Sequence, residues 1–114
     1  KKVPPMIESL LEFAETSRDE VDYYMFHQPN RFMLRKLCRK LRIDEDKLPM
    51  NIVENFGNSS GVTVPLNICF NLADKIRDKA LKLCMAGFGG GLVWSSILMN
   101  VGPLDFCEII EYPD

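Results

Sequence analysis

The sequence predicts an α/β fold with a mixed, mainly parallel sheet and helices packed on it. Three observations carry this reading. Apolar residues recur at helical spacing in three separate stretches, short apolar runs of strand length fall between them, and a glycine-rich run joins the last two such runs. Strands alternating with helices favour a layered α/β architecture, and the closing hairpin makes the sheet mixed. The chain has 114 residues, 46% of them hydrophobic, which suits one domain with a real core.

Each element has its own signal. Met6 to Thr16 sets Ile7, Leu10, Leu11 and Ala14 on one helix face, with Pro4-Pro5 suited to a helix start. Ser17 to Glu20 reads as a polar connection, and Val21 to Phe26 as a short buried strand. From Asn30 to Leu41 the residues Leu34, Leu37, Cys38 and Leu41 repeat the helical spacing. Asp44 to Leu48 reads as a turn, and Met50 to Val53 as the next strand, ended by Asn55 and Gly57. A long helix is expected over Val64 to Ala80, with Pro65 in its first turn and Cys69, Leu72, Ala73 and Ile76 facing inward. Leu81 to Ala86 and Leu92 to Met99 read as a hairpin, and Phe106 to Tyr112 as an added edge strand.

Composition removes several function classes. A net charge of −2 gives no reason to expect nucleic acid or a membrane surface as a partner. Lys1-Lys2 precedes two prolines rather than an apolar signal region, and no window has the eighteen or so apolar residues of a membrane span. The expectation is a soluble, cytoplasmic chain. The Asn58-Ser59-Ser60 sequon is set aside for the same reason. Cys38, Cys69, Cys84 and Cys107 have no CxxC pairing, and with one histidine they make no zinc set, so buried free thiols and no metal site are expected.

His27 is the only histidine, placed where a strand passes into a helix. Imidazole titrates nearest neutral pH, so the position suits catalysis, although a lone histidine there also serves structure. Phe56-Gly57-Asn58-Ser59-Ser60-Gly61 and Ala86-Gly87-Phe88-Gly89-Gly90-Gly91-Leu92 follow it. Read alone, Asn58 fits a helix cap or turn, and the glycines fit a hairpin turn open to close backbone approach. Arg31, Arg35, Lys36, Arg39, Lys40 and Arg42 give the second helix six of the fourteen basic residues, a pattern that also fits a solvated face.

His27-Gln28-Pro29-Asn30, Gly57-Asn58-Ser59-Ser60 and the glycine-rich turn, in that order, resemble the C-terminal half of the ketoacyl-acyl carrier protein synthase III family, condensing enzymes of the thiolase superfamily. The resemblance runs from about Met6 to Met99. It implies a thiolase-like C-terminal half over residues 1–114, with the N-terminal half and its nucleophilic cysteine absent. It further implies decarboxylative Claisen condensation of an acyl primer with malonyl-acyl carrier protein to a 3-oxoacyl product. His27 and Asn58 would be neutral donors to the nascent enolate oxygen, and the Gly90 amide would join an oxyanion hole. Parallel strands ending at one sheet edge would bring His27 and Asn58 together. Asn30 would lie near the pantetheine arm, and Arg39-Lys40 would be the docking pair for an acidic acyl carrier protein.

The family pattern implies acyl-CoA and malonyl-acyl carrier protein as substrates, no cofactor, and a homodimer in the full-length protein. Pro29, Phe32 and Gly61 depart from the common pattern, as does the tail after Met99. Three other readings are a non-catalytic partner subunit or carrier-binding module, a different thiolase-superfamily condensing enzyme, and a plain α/β interaction module.

Overall fold

A computed structural model describes residues 3–28, 30–57, 63–89 and 93–110. Helix α1 spans Val3–Phe13, strand β1 Tyr23–Phe26, helix α2 Arg31–Leu41, helix α3 Ile52–Phe56, helix α4 Thr63–Asp78, strand β2 Leu81–Gly89 and strand β3 Val93–Val101. Single 3₁₀ turns at Arg18–Glu20 and Glu45–Lys47 fill the two polar connections.

The sheet order is β1-β2-β3, with β1 parallel and β3 antiparallel to β2. This is the mixed α/β sheet expected; among the described residues it has one pairing of each kind. The parallel pair runs from Tyr23↔Leu83 to Phe26↔Ala86, and the hairpin from Leu81↔Val101 to Gly89↔Val93.

Side-chain alternation divides the core into two layers. Tyr24 and Phe26 of β1 join Cys84 and Ala86 of β2 on the face covered by α1 and α2, where Ile7, Leu11, Leu34, Leu37, Cys38 and Leu41 are buried. Met25 and Leu83 point to the other face and pack with Leu72 and Ile76 of α4. Helices on both faces explain why β1 reads as an unbroken apolar run rather than an alternating one.

Helix α2 is fixed at both ends. The Asn30 side chain accepts from the Met33 N–H at 2.8 Å as its N-cap. Arg42 adopts a left-handed φ of 57°, and the Ile43 N–H closes on the Cys38 carbonyl at 3.0 Å.

Three expectations are corrected. Helix α1 begins at Val3 and stops at Phe13, because Pro4 and Pro5 sit comfortably in a first turn and Glu15 turns left-handed at φ 53°. Ala14 is consequently exposed. The strand expected at Met50–Val53 is instead the start of α3, whose Ile52 N–H donates to Gln28 Oε1 at 2.9 Å and whose end is closed by Gly57 N–H on the Val53 carbonyl. Five residues are too few to show helical periodicity, and the cap comes from 24 positions away.

The tail adds no strand over Phe106–Ile110. At Gly102, φ 97°, the chain crosses close over α4, where a Cβ would stand 2.9 Å from the Ile76 carbonyl. Leu104 N–H then donates to that carbonyl, and Cys107 packs against Cys69 with 3.7 Å between sulfurs. Phe106 and Ile110 are left 73% and 77% exposed, so their apolar spacing does not reflect a buried sheet face.

Candidate active site

His27 continues β1 by one residue: its N–H donates to the Ala86 carbonyl at 2.8 Å, extending the parallel ladder. Its imidazole is therefore delivered at the carboxyl end of a parallel strand, the rim where α/β sheets place ligands. The ring is half-buried, and its Nδ1 lies 3.3 Å from Oγ1 of Thr63, the first residue of α4. Thr63 is fully buried.

Gln28, also fully buried, braces the next position. Its Nε2 donates to the Pro49 carbonyl while its Oε1 accepts the Ile52 N–H, so one side chain ties the end of β1 to α3. A second amide set joins α3 to α4. Asn51 Nδ2 donates to Asn71 Oδ1 at 2.9 Å, and Asn71 Nδ2 donates back to Asn51 Oδ1 at 3.0 Å and to Asn67 Oδ1 at 2.7 Å. Asn67 Nδ2 is buried without a hydrogen-bond partner among the described residues.

The sequence pattern did not signal Thr63, and it marked Gln28 only as a motif letter. The available hint was a polar residue beside a candidate histidine in an otherwise apolar setting. Asn58 and Gly90 lie outside the described residues. Gly57, which precedes Asn58, ends a helix rather than the strand expected there. His27 thus follows a strand while Asn58 follows a helix, so two strand ends do not account for bringing them together. The element leading out of 58–62 is α4, and α4 touches His27 through Thr63.

Asn30, Arg39 and Lys40 all lie on α2. Asn30 caps its start, and the other two are exposed in its last turn. Nine residues (39 − 30) at about 1.5 Å each put the basic pair roughly 13 Å along the helix from the end nearest His27. The basic stripe is partly neutralised near that end: Arg31 pairs with Glu54, and Arg35 Nε lies 3.9 Å from Glu45. These are exposed pairs of small energetic weight. Two clefts of about 310 and 240 Å³ are lined mainly by charged residues around Arg18–Arg42–Lys47 and Arg31–Arg35–Glu45, and neither includes His27.

Three of the thiols have the opposite of activated surroundings. Burial pushes Cys38 up to about 11 and Cys84 up to about 12. Cys107 is raised as well, first by burial and then by its hydrogen bond to Cys69. Nucleophilic cysteines have lowered values. All four cysteines are free, and among the described residues no cluster of three or more His, Cys, Asp or Glu side chains could hold a metal. No helix of the described residues is long and apolar enough to cross a membrane.

Residues 11–101 match the family described as 3-oxoacyl-[acyl-carrier-protein (ACP)] synthase III C terminal. The chain belongs to that family. It is 36% identical over 103 residues to a beta-ketoacyl-[acyl-carrier-protein] synthase III of Lactococcus lactis subsp. lactis, a match covering 89% of this chain and 31% of the relative. A Streptococcus gordonii protein of the same description is 33% identical over 103 residues, covering 89% and 32%. The chain thus spans about a third of the length of the curated relatives it matches.

Among solved structures, a 3-oxoacyl-(acyl-carrier protein) synthase from Burkholderia xenovorans LB400 superposes with TM-score 0.92 at 37% identity over 96% of this chain and 31% of that one. A 3-oxoacyl-[acyl-carrier-protein] synthase III from Aquifex aeolicus VF5 gives TM-score 0.74 at 27% identity over 85% and 31%. The thiolase-like α/β fold of this synthase III C-terminal family is therefore the fold of this chain, with α4 and the β2–β3 hairpin packed against the strand that carries His27.

Proposed function

We propose that residues 1–114 form the C-terminal domain of a 3-oxoacyl-acyl carrier protein synthase III-like acyltransferase and supply the donors for its decarboxylation step. The observation that carries this is the His27–Thr63 contact at the carboxyl end of β1. Asn58 precedes Thr63 by only five positions (63 − 58), so an extended segment keeps it within roughly 18 Å of that contact.

The chemistry asks for such donors. The bond between the malonyl α-carbon and its carboxylate breaks, carbon dioxide leaves, and the electron pair moves onto the thioester oxygen as an enolate. The enolate carbon then attacks the acyl thioester carbonyl, forming a carbon–carbon bond and releasing the thiolate that carried the acyl group. Neutral N–H donors from His27 and Asn58 stabilise the oxygen without presenting an acid strong enough to quench the carbanion. The Gly90 amide serves the second oxyanion, at the acyl carbonyl.

The acyl-bearing thiol comes from outside this chain, since Cys38 and Cys84 are buried with raised values and Cys69 faces Cys107. Acyl-CoA primes the reaction, and acyl carrier protein brings the malonyl group to the exposed Arg39-Lys40 end of α2. The thioester substrates carry the activation, so no cofactor is required.

The test is a condensation assay on a protein of the relatives' length that contains this chain. His27→Ala and Asn58→Ala should each slow malonyl decarboxylation about 10²–10³-fold, while transfer of the primer onto the enzyme thiol continues. Unimpaired decarboxylation in both variants refutes the reading. The 114-residue chain alone should show no turnover.

A further inference from the structure

We infer that Cys69 and Cys107 are a modification site, a dithiol that low-molecular-weight disulfides oxidise reversibly to a disulfide pinning the tail after Gly102 onto α4. The inference is independent of the condensation reading. The two sulfurs stand 3.7 Å apart across 38 positions of sequence, and both thiols are free. A disulfide is about 2.05 Å long, so about 1.7 Å of approach turns this contact into a bond.

The register of the tail sets the pair. At Gly102 the chain passes so close to α4 that a Cβ would stand 2.9 Å from the Ile76 carbonyl, and two residues later the Leu104 N–H donates to that same carbonyl at 2.9 Å. From there the tail runs back along the helix toward its start. Seven helical positions (76 − 69) span roughly 10 Å, and three residues of extended chain (107 − 104) reach about the same distance. Cys107 therefore arrives over Cys69, two turns before Ile76. Leu104 packs with the same apolar layer as Cys107. Cys38 and Cys84 are buried in the layer on the opposite face of the sheet, so they do not compete for either sulfur.

The two thiols divide the exchange between them. Cys69 is half-buried and Cys107 is 5% exposed, so an incoming disulfide meets Cys69 first. The Cys107 thiol donates its hydrogen bond to the Cys69 sulfur, an arrangement that supports negative charge on Cys69 and leaves the proton on Cys107. In the first step the Cys69 thiolate attacks one sulfur of the small disulfide, forms a mixed disulfide and expels one thiolate. In the second, Cys107 gives up its proton and attacks the Cys69 sulfur, breaking the mixed disulfide and expelling the other thiolate. Two protein thiols lose two protons and two electrons, and one small disulfide becomes two small thiols.

Glutathione disulfide is the probe, applied to the folded 114-residue chain. Two of the four thiols should be lost, with a mass decrease of two hydrogens, and dithiothreitol should return all four. Tryptic digestion with cleavage at methionine separates Cys84 from Cys107 at Met85 and Met99, and the linked peptides should be those of Cys69 and Cys107. Closing the ring restricts the unfolded chain, so the oxidised protein should melt roughly 10 °C higher than the reduced one. Cys107→Ser should stop at a glutathione adduct on Cys69. Four thiols retained, an unaltered chain that stops at the adduct, a link through Cys38 or Cys84, or an oxidised chain that melts no higher would each overturn the inference. Should Cys107→Ser not fold, the linked peptides of the unaltered chain decide alone.

Discussion

Replacing Gln28 with leucine removes the brace between the end of β1 and α3. The side chain is wholly buried, and both its amide atoms are used: Nε2 on the Pro49 carbonyl and Oε1 on the Ile52 N–H. The Ile52 N–H is in the first turn of α3, where no intrahelical acceptor exists. A buried backbone group left without its partner costs about 1–3 kcal/mol. Pro49 is a half-buried residue, so its carbonyl is expected to regain some hydration and its loss to fall at the low end of that range. Leucine recovers part of the total by burying apolar surface. The net expectation is a destabilisation of about 2–3 kcal/mol.

Urea unfolding followed by circular dichroism measures it. The midpoint should fall with little change in the m-value, and the melting temperature should drop roughly 10–20 °C at about 4–8 °C per kcal/mol. Gln28→Glu sharpens the test. It retains an acceptor for Ile52 but loses the donor to Pro49, and burial raises its pKa above the unfolded value. Its deficit should therefore be greatest near neutral pH and shrink as acid protonates the folded state first. A cost below about 0.5 kcal/mol for Gln28→Leu, the level of an ordinary surface change, would refute the bracing role.

Three further outcomes follow from the same structure. Asn30→Ala should cost about 1 kcal/mol through loss of the α2 cap, and Asn30→Asp should cost little, both read by urea midpoints; a neutral alanine change would leave the Asn30–Met33 hydrogen bond without energetic weight. Arg39→Glu with Lys40→Glu should leave stability within about 0.5 kcal/mol while slowing association of an acidic carrier protein, measured by stopped flow at low salt, and an unchanged on-rate would remove that surface from docking. Cys38 and Cys84 are held protonated up to about 11 and 12 from an ordinary value of 9, so the folded state binds their protons more tightly than the unfolded one. Their contribution is complete below pH 9 and is lost as pH rises from there, by up to about 1.4 kcal/mol per unit for each thiol. Cys84→Ala should flatten that alkaline slope in urea titrations, and an unchanged slope would contradict it.

What was legible in the sequence follows the range of the interactions. The Leu34-Leu37-Cys38-Leu41 and Leu72-Ile76 stripes announce α2 and α4, because helical burial repeats within a few residues. Tyr23 to Phe26 announces β1, because a strand covered on both faces carries apolar side chains toward each. Helix α3 was not legible, since its cap lies 24 positions away and its burial rests on Ile52. The tail forms no strand over Phe106–Ile110 because Gly102 carries it over Ile76 instead of alongside β3. In the site, His27 stood out through its rarity and its junction. Thr63 is an ordinary helix-start residue until the fold brings it across 36 positions to the imidazole.

The end of β1 is where stability and the proposed chemistry are hardest to separate. Three consecutive fixings meet there: the His27 backbone on β2, the Gln28 side chain on α3, and the His27 ring on α4. Catalysis by donors aimed at a developing charge depends on their being in place before the reaction, because reorganising them during it would consume the gain. The Gln28 side chain ties the backbone next to the imidazole, and Thr63 Oγ1 lies 3.3 Å from the ring's Nδ1. A substitution at Gln28 should thus lower activity in the longer protein as well as stability, whereas Thr63→Ser should spare both. If Gln28→Leu unfolded the chain more easily yet left turnover per folded molecule unchanged, the backbone brace would matter to the fold alone, and orientation of the imidazole would rest on α4.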